Sequence, residues 1–371
     1  MAQAVGLQTL DINIDTPRTK DGLPLKMTAR SYVPRDVSDV RSDGVTLLFA
    51  HGAGGHKELW EPIVIALYQY QAHCAHFRPI REVWSIDYQS HGDSAVLNDA
   101  IFRGQDVELS PEDWGAAIAN FHRDHLAARR VVCIGHSVGG TALTNSLSLF
   151  TDASSRPYEA MILIEPIIIS RSVFQSHTEQ WRKQGHRMSE GTRKRRDVWE
   201  SRQAALAHLS QRYPWSLWNE SILQIFVDHG LRAVHGSHGR VTLKCAKAHE
   251  ASNYTEEEAC FLGMEQVEKA CGLIPVHAIF GEAQDLLQFV NGATGSPEFV
   301  RKCLSDVTDK HSMSSTTIIP DAGHFVPQEK PLAVAEHIWQ ILLQLDDTEG
   351  RHMNVDGDLR TRGPSAAKSR L

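Results

Sequence analysis

No run in this 371-residue chain approaches the roughly 20 apolar residues that a membrane-spanning helix needs. The longest apolar runs, such as Val45–Ala50 and Val131–Ile134, are strand-sized. Positive charge is not in excess either: 38 Lys and Arg stand against 45 Asp and Glu, a net charge of −7. That balance excludes the basic field on which bulk nucleic-acid binding depends. The start, Met1-Ala2-Gln3-Ala4-Val5-Gly6, has neither the basic residues nor the apolar core of a secretory signal, so an intracellular protein is expected. Cysteine is sparse. Cys74, Cys133, Cys245, Cys260, Cys271 and Cys303 form neither a CxxC pair nor a small disulfide framework, and free thiols are expected. The 20 histidines show no metal-ligand spacing, and neither a metal nor an organic cofactor is expected. Internal repeats and low-complexity segments are missing too.

What is present suits one sizeable core: 42% of residues are hydrophobic and 22% charged. The first half alternates strand-like and helix-like segments. Leu7–Ile14 alternates as a half-buried strand would, and Gly44–Ala50 reads as a buried strand before the turn His51-Gly52-Ala53-Gly54-Gly55. Glu58–His76 has helical periodicity and Val83–Asp87 is strand-like. Pro111–Leu126 opens with proline and two acids, as a helix start favours. Arg130–Ile134, the Gly135–Gly140 turn and the helix Thr141–Phe150 follow, then the apolar strand Ala160–Ile164. This alternation predicts an α/β fold with a mostly parallel, doubly wound sheet. The pattern breaks near Ile168. Residues 168–253, with Trp181, Trp199, Trp215 and Trp218, are expected to form an inserted helical cap between core segments 1–167 and 254–345. Strands resume at Pro275–Phe280 and Thr316–Ile319, with a closing helix over Pro331–Leu345. Residues 346–371 are polar and are expected to be a flexible tail.

The clearest chemical signal is Gly135-His136-Ser137-Val138-Gly139, a G-x-S-x-G sequence between an apolar strand and an apolar helix. A serine on so sharp a turn has its hydroxyl pushed out above the sheet edge, and small residues two places away let the turn close. Ser137 is the candidate nucleophile. A serine hydroxyl needs a base. His324, in Asp321-Ala322-Gly323-His324-Phe325, follows the last strand at the same sheet edge. The oxyanion needs fixed N–H donors, expected from the backbones of Val138 and Ala53. For the acid that orients His324, Glu165 and Asp285 each follow a sheet strand, and spacing alone leaves them even.

Together HGAGG, Asp87-Tyr88-Gln89-Ser90-His91-Gly92-Asp93-Ser94, GHSVGG and DAGHF resemble the α/β-hydrolase superfamily over nearly the whole chain. Lys57-Glu58-Leu59-Trp60-Glu61-Pro62, Ile164-Glu165-Pro166, Arg196-Asp197-Val198-Trp199 and Ser201-Arg202 look like its fungal peroxisomal branch. That branch includes the acyl-CoA hydrolase of mycophenolic acid synthesis, hydrolases of host-selective toxin clusters and the yeast peroxisomal lipase. The resemblance implies Glu165 as the acid, in place of an aspartate one methylene shorter, with Asp285 in reserve. Ser369-Arg370-Leu371 resembles the peroxisomal SKL address, which implies an import receptor as partner and a peroxisomal location. The basic run Arg193-Lys194-Arg195-Arg196, or Arg182 and Lys183, is a candidate for holding coenzyme A phosphates, and the tryptophans are candidates for an acyl pocket. The implied activity is hydrolysis of an acyl thioester or ester through an acyl-enzyme, in secondary metabolite or toxin biosynthesis. A peroxisomal lipase or carboxylesterase is the alternative, and a non-catalytic binding member of the fold a remote one. The acyl group is left open, as is a homodimer.

Overall fold

The chain opens with an antiparallel pair, β1 (Leu7–Asp15) and β2 (Lys26–Pro34). It continues through β3 (Val45–Ala50), β4 (Ile80–Ile86), β5 (Arg130–His136) and β6 (Ala160–Ile164), and later β10 (Val276–Gly281) and β11 (Ser315–Ile319). These eight strands form one mixed sheet, ordered β1-β2-β4-β3-β5-β6-β10-β11 and parallel from β4 to β11. The computed structural model describes residues 6–35, 43–74, 79–104, 107–151, 156–283, 301 and 313–359, with side chains to residue 346.

The central strands are apolar on both faces because helices cover both. In β3, Leu48 and Ala50 enter one apolar layer while Leu47 and Phe49 enter the other. In β5, Val131 and Cys133 alternate with Val132 and Ile134 in the same way. The short helices α2 (Gly92–Leu97) and α3 (Asp99–Gly104) follow β4, and helix α1 (Glu61–Ala72) precedes it. Helix α1 and the C-terminal helix Pro331–Leu359 close one face through Ile63, Leu67, Ile338 and Leu342. Helices α4 (Pro111–Phe121), α5 (Val138–Ser146) and α11 (Glu258–Ala270) close the other through Trp114, Leu143 and Met264. Ser110 and Asp113 cap α4 reciprocally, behind Pro111.

Two local expectations are corrected and one gains detail. Strand β1 lies at the sheet edge and buries only Leu7 and Ile14, and its partner β2 gave no signal in the sequence. Residues 168–253 hold strands as well as helices. Besides α6 (Arg171–Ser176), α7 (Thr178–Lys194), α8 (Arg202–Leu209), α9 (Glu220–His229) and α10 (Lys247–Ser252), they hold a three-stranded antiparallel sheet. Its strands are β7 (Val198–Trp199), β8 (Leu231–Ala233) and β9 (Val241–Leu243). Trp199, Trp218, Ile222 and Phe226 give this segment a core of its own. The polar stretch from Asp346 is helical as far as Leu359. Residues 360–371 lie outside the described residues, Ser369, Arg370 and Leu371 among them.

A buried charge cluster ties the turn after β3 to the end of β4. Lys57 Nζ lies 2.6 Å from Asp93, 2.8 Å from Glu58 and 3.3 Å from Asp87. The Lys57 backbone N–H donates to Asp87 Oδ1 at 2.8 Å, while Thr28 Oγ1 and the Asp93 N–H donate to Oδ2. Burial opposes these charges, but Asp87, Glu58 and Asp93 outweigh it and hold the Lys57 ammonium above its usual range. For Glu58, burial is likewise overcome by His56, Lys57 and Arg30, which hold the carboxyl well below its usual range. Removing the cation would leave the buried Asp87 without its ammonium partner, while Asp93 keeps Lys244 and Glu58 keeps Arg30. Lys57→Met is therefore expected to cost about 3–5 kcal/mol in denaturant unfolding. A loss under about 1 kcal/mol would show that the cluster is not a structural tie.

Candidate active site

Close packing produces the turn at Ser137. A Cβ at Gly135 would lie 2.5 Å from the Gly140 Cα, and one at Gly139 would overlap the carbonyl oxygens of Ala50 and His51. Only glycine lets β5 turn into α5 and lets α5 lie against the end of β3. The residue between is forced to φ 54° and ψ −125°, a strained conformation for serine. The ladder is not lost there, since the Ser137 N–H donates to the Ile164 carbonyl at 2.9 Å.

The structure brings Ser137, His324 and Glu165 together. His324 Nε2 is 3.0 Å from Ser137 Oγ, and Nδ1 is 3.3 Å from Glu165 Oε2. All three are nearly excluded from solvent, with exposures of 7%, 4% and 2%. Glu165 sits just past β6 at φ 47°, its N–H on the Ile279 carbonyl. Its Oε1 accepts the Gly281 N–H at 2.7 Å, which fixes the carboxylate across the ends of β6 and β10. The other acid weighed from sequence, Asp285, lies outside the described residues.

Three buried histidines shape the loop that carries Ala53. The Gly54 N–H donates to His91 Nε2 at 3.0 Å, so His91 Nδ1–H is left to donate to Ser90 Oγ. His51 Nδ1–H donates to the Gly52 carbonyl, and its Nε2 accepts the Tyr88 N–H at 3.2 Å. His136 Nε2–H donates to the carbonyl of His324 at 2.8 Å, holding that residue's backbone in place. The patterns at His51 and His91, where a ring nitrogen accepts an N–H, need a neutral ring. Burial pushes the imidazolium form of His51 down to about 4 despite Asp87, and puts His91 and His136 well below the usual range.

Ser137, Val138 and Ala53 share a cavity of about 360 Å³. Its wall is largely apolar, with Ile167, Ile168, Phe174, Trp181, Met188 and Phe261. A second cavity of about 590 Å³ adjoins the same Ala53 loop and is lined by Arg195, Arg196, Trp215 and Trp218, among others. Trp181, Trp215 and Trp218 thus face cavities, whereas Trp199 is only 1% exposed and is core.

The basic run does not form one patch. Helix α7 ends at Lys194 and the chain turns extended at Arg195, so the four side chains diverge. Lys194 pairs with Glu190 on the exposed face of α7, and Arg193 is exposed. Arg195 forks onto the buried Glu250, whose carboxylate lies 2.8 Å from where a Gly54 Cβ would be. Arg182 lines the Ser137 cavity but forks onto Glu257, and Lys183 is exposed. Lys57, Asp87 and His91, which the sequence shows only as parts of family-like motifs, and Glu250, which it does not single out, all lie against the Ala53 loop region.

The alpha/beta hydrolase family model matches residues 47–337. The chain is similar to the type I acyl-CoA thioesterase mpaH of Penicillium brevicompactum, 31% identical over 144 residues, which is 39% of this chain and 31% of that protein. The chain spans 31% to 39% of the length of the curated thioesterases it matches. It is also similar to the abhydrolase domain-containing protein AKT2 of Alternaria alternata, 24% identical over 56% of this chain and 81% of that one. Among solved structures, the peroxisomal alpha-beta-hydrolase Lpx1 of Saccharomyces cerevisiae superposes with a TM-score of 0.64 at 19% identity, over 98% of this chain and 93% of that one.

The neutral histidines predict acid sensitivity. Between the ordinary histidine value of 6.5 and about 4, the unfolded chain binds a proton at His51 that the folded chain refuses. Stability is full above that window and falls as pH drops through it, by about 1.4 kcal/mol per unit from one such group. Unfolding free energies measured from pH 7 to 5 should decline. A flat or rising profile would contradict neutral rings at this loop.

Proposed function

The chain belongs to the alpha/beta hydrolase family, and on that premise we propose that it is a serine hydrolase cleaving an acyl thioester or ester through an acyl-enzyme. The observation that carries this reading is the buried chain of hydrogen-bonding groups from Glu165 through His324 to Ser137, opening into an apolar cavity. In the proposed reaction His324 Nε2 takes the Ser137 proton as Oγ attacks the substrate carbonyl. Glu165 holds Nδ1–H and stabilises the imidazolium that forms. The N–H groups of Ala53 and Val138 receive the oxyanion. His324 then returns the proton to the leaving group. It next activates water, which releases the acyl group and restores Ser137.

Acyl-coenzyme A is the proposed substrate class. The apolar wall around Ser137 suits an acyl chain, and the similarity to proteins named acyl-CoA thioesterases supports a thioester. Residues 168–253 serve in this reading as the cap, supplying Phe174, Trp181 and Met188 to the acyl pocket. Peroxisomal import is proposed as well, supported by Ser369-Arg370-Leu371 as a receptor address.

Replacing Ser137 or His324 with alanine is expected to lower kcat for an acyl-CoA by about 10⁶-fold, and Glu165→Ala by about 10⁴-fold. Asp285→Ala should leave kcat within about twofold. Activity that survives Glu165→Ala but is lost in Asp285→Ala would assign the acid to Asp285. For location, a fluorescent protein fused ahead of the full chain should enter peroxisomes. It should lose that location when Ser369-Arg370-Leu371 is deleted, and unchanged import would remove the role of the tripeptide.

A further inference from the structure

The two cavities that meet at the Ala53 loop differ in the sign of their charge. The one containing Ser137 bears Arg182 with Glu256 and Glu257, a net negative charge with histidine neutral. Arg182 is held by Glu257 there through two hydrogen bonds, of 2.8 and 2.9 Å. The larger cavity bears Arg195, Arg196 and Arg212 against Glu250, a net positive charge. Arg195 is committed: it forks onto Glu250, and its guanidinium carbon lies 5.2 Å from the Trp215 ring centroid. Arg196 uses only Nε–H locally, on the Val198 carbonyl at 2.8 Å. Among the described residues no carboxylate pairs with Arg196 or Arg212, and both are exposed at the cavity rim.

His208 lines the same cavity. Partial burial, then the fields of Arg196 and Arg212, lower its pKa. Around it Tyr213, Trp215 and Trp218 present aromatic surface, with the two indole centroids 6.3 Å apart. Ala53, Met188 and Tyr254 line both cavities, which therefore adjoin along these residues, and Ala53 also borders the cavity of Ser137.

We propose that Arg196 and Arg212 form a phosphate subsite that holds the nucleotide end of a coenzyme A leaving group in the larger cavity, while the acyl chain fills the Ser137 cavity. The assignment rests on the acyl-coenzyme A reading above. It follows from charge: a group carrying several phosphates is drawn to the cationic cavity and repelled from the anionic one. Unpaired guanidinium groups grip phosphate through paired hydrogen bonds, whereas Arg182 and Arg195 have that capacity filled by Glu257 and Glu250. Tyr213, 54% exposed at this cavity, offers a face for the adenine base.

The test compares lauroyl-coenzyme A with S-lauroyl-N-acetylcysteamine, which has the same acyl group and thioester but no phosphate. On the full chain, the double variant Arg196→Gln/Arg212→Gln should raise KM for lauroyl-coenzyme A by about tenfold or more. Its kcat, its KM for the phosphate-free thioester and its fluorophosphonate labelling of Ser137 should stay at wild-type values. Adenosine 3′,5′-bisphosphate should inhibit the wild type competitively and lose that effect on the variant. Two KM values that shift together, or not at all, would overturn the subsite. A wild type that hydrolyses both thioesters with equal KM would overturn the subsite alone. A wild type that cleaves lauroyl esters but neither thioester would overturn the acyl-coenzyme A reading, and the subsite with it.

Discussion

The contact on which the rest of the site depends is the approach of Gly139 to the carbonyl oxygens of Ala50 and His51. It sets α5 hard against the end of β3. With that approach fixed, Ser137 has no relaxed backbone conformation open to it and projects its hydroxyl above the sheet. The same contact places the start of α5 beside the loop that follows β3. The N–H groups of Val138 and Ala53, remote in sequence, therefore border one cavity with Ser137. The strain at this turn is sustained by the surrounding apolar layers, which leave Ala142 and Leu143 of α5 fully buried.

The second constraint is polar. The loop carrying Ala53 has little apolar surface of its own, so its position is set by directed bonds. Below it are the Lys57 cluster and Asp87, beside it His91, and on the side of residues 168–253 the Arg195–Glu250 pair. Asp87 and His91 each accept backbone N–H groups of this loop region, and directed bonds of this kind hold one geometry. The Arg195–Glu250 pair lines the larger cavity, with its carboxylate against Gly54 and its guanidinium near the Trp215 ring.

Those features that depend on neighbours in sequence were legible before the structure. Period-two apolar strands and the glycine spacing around Ser137 are local, and they gave the fold class and the turn. His324 was found because its loop follows a sheet strand. Glu165 and Asp285 were not separable, since the choice depends on which side chain reaches His324 from the end of β6 or of β10, a contact between residues far apart in the chain. Lys57 was invisible as a core residue because lysine is a surface residue by default, and only the convergence of Asp87, Glu58 and Asp93 makes its burial tolerable. The run from Arg193 to Arg196 read as one patch because spacing cannot show where α7 stops. Once the backbone turns extended at Arg195, one guanidinium enters an ion pair and the next reaches the cavity rim.

The central claim is that Ser137 becomes covalently acylated. Rapid mixing of the protein with a chromogenic acyl ester measures this most directly, combined with mass spectrometry of the acid-quenched protein. The account predicts a burst of leaving group close to one equivalent per active site and an acyl mass on the peptide bearing Ser137. Steady turnover with no burst and an unmodified Ser137 peptide would contradict it.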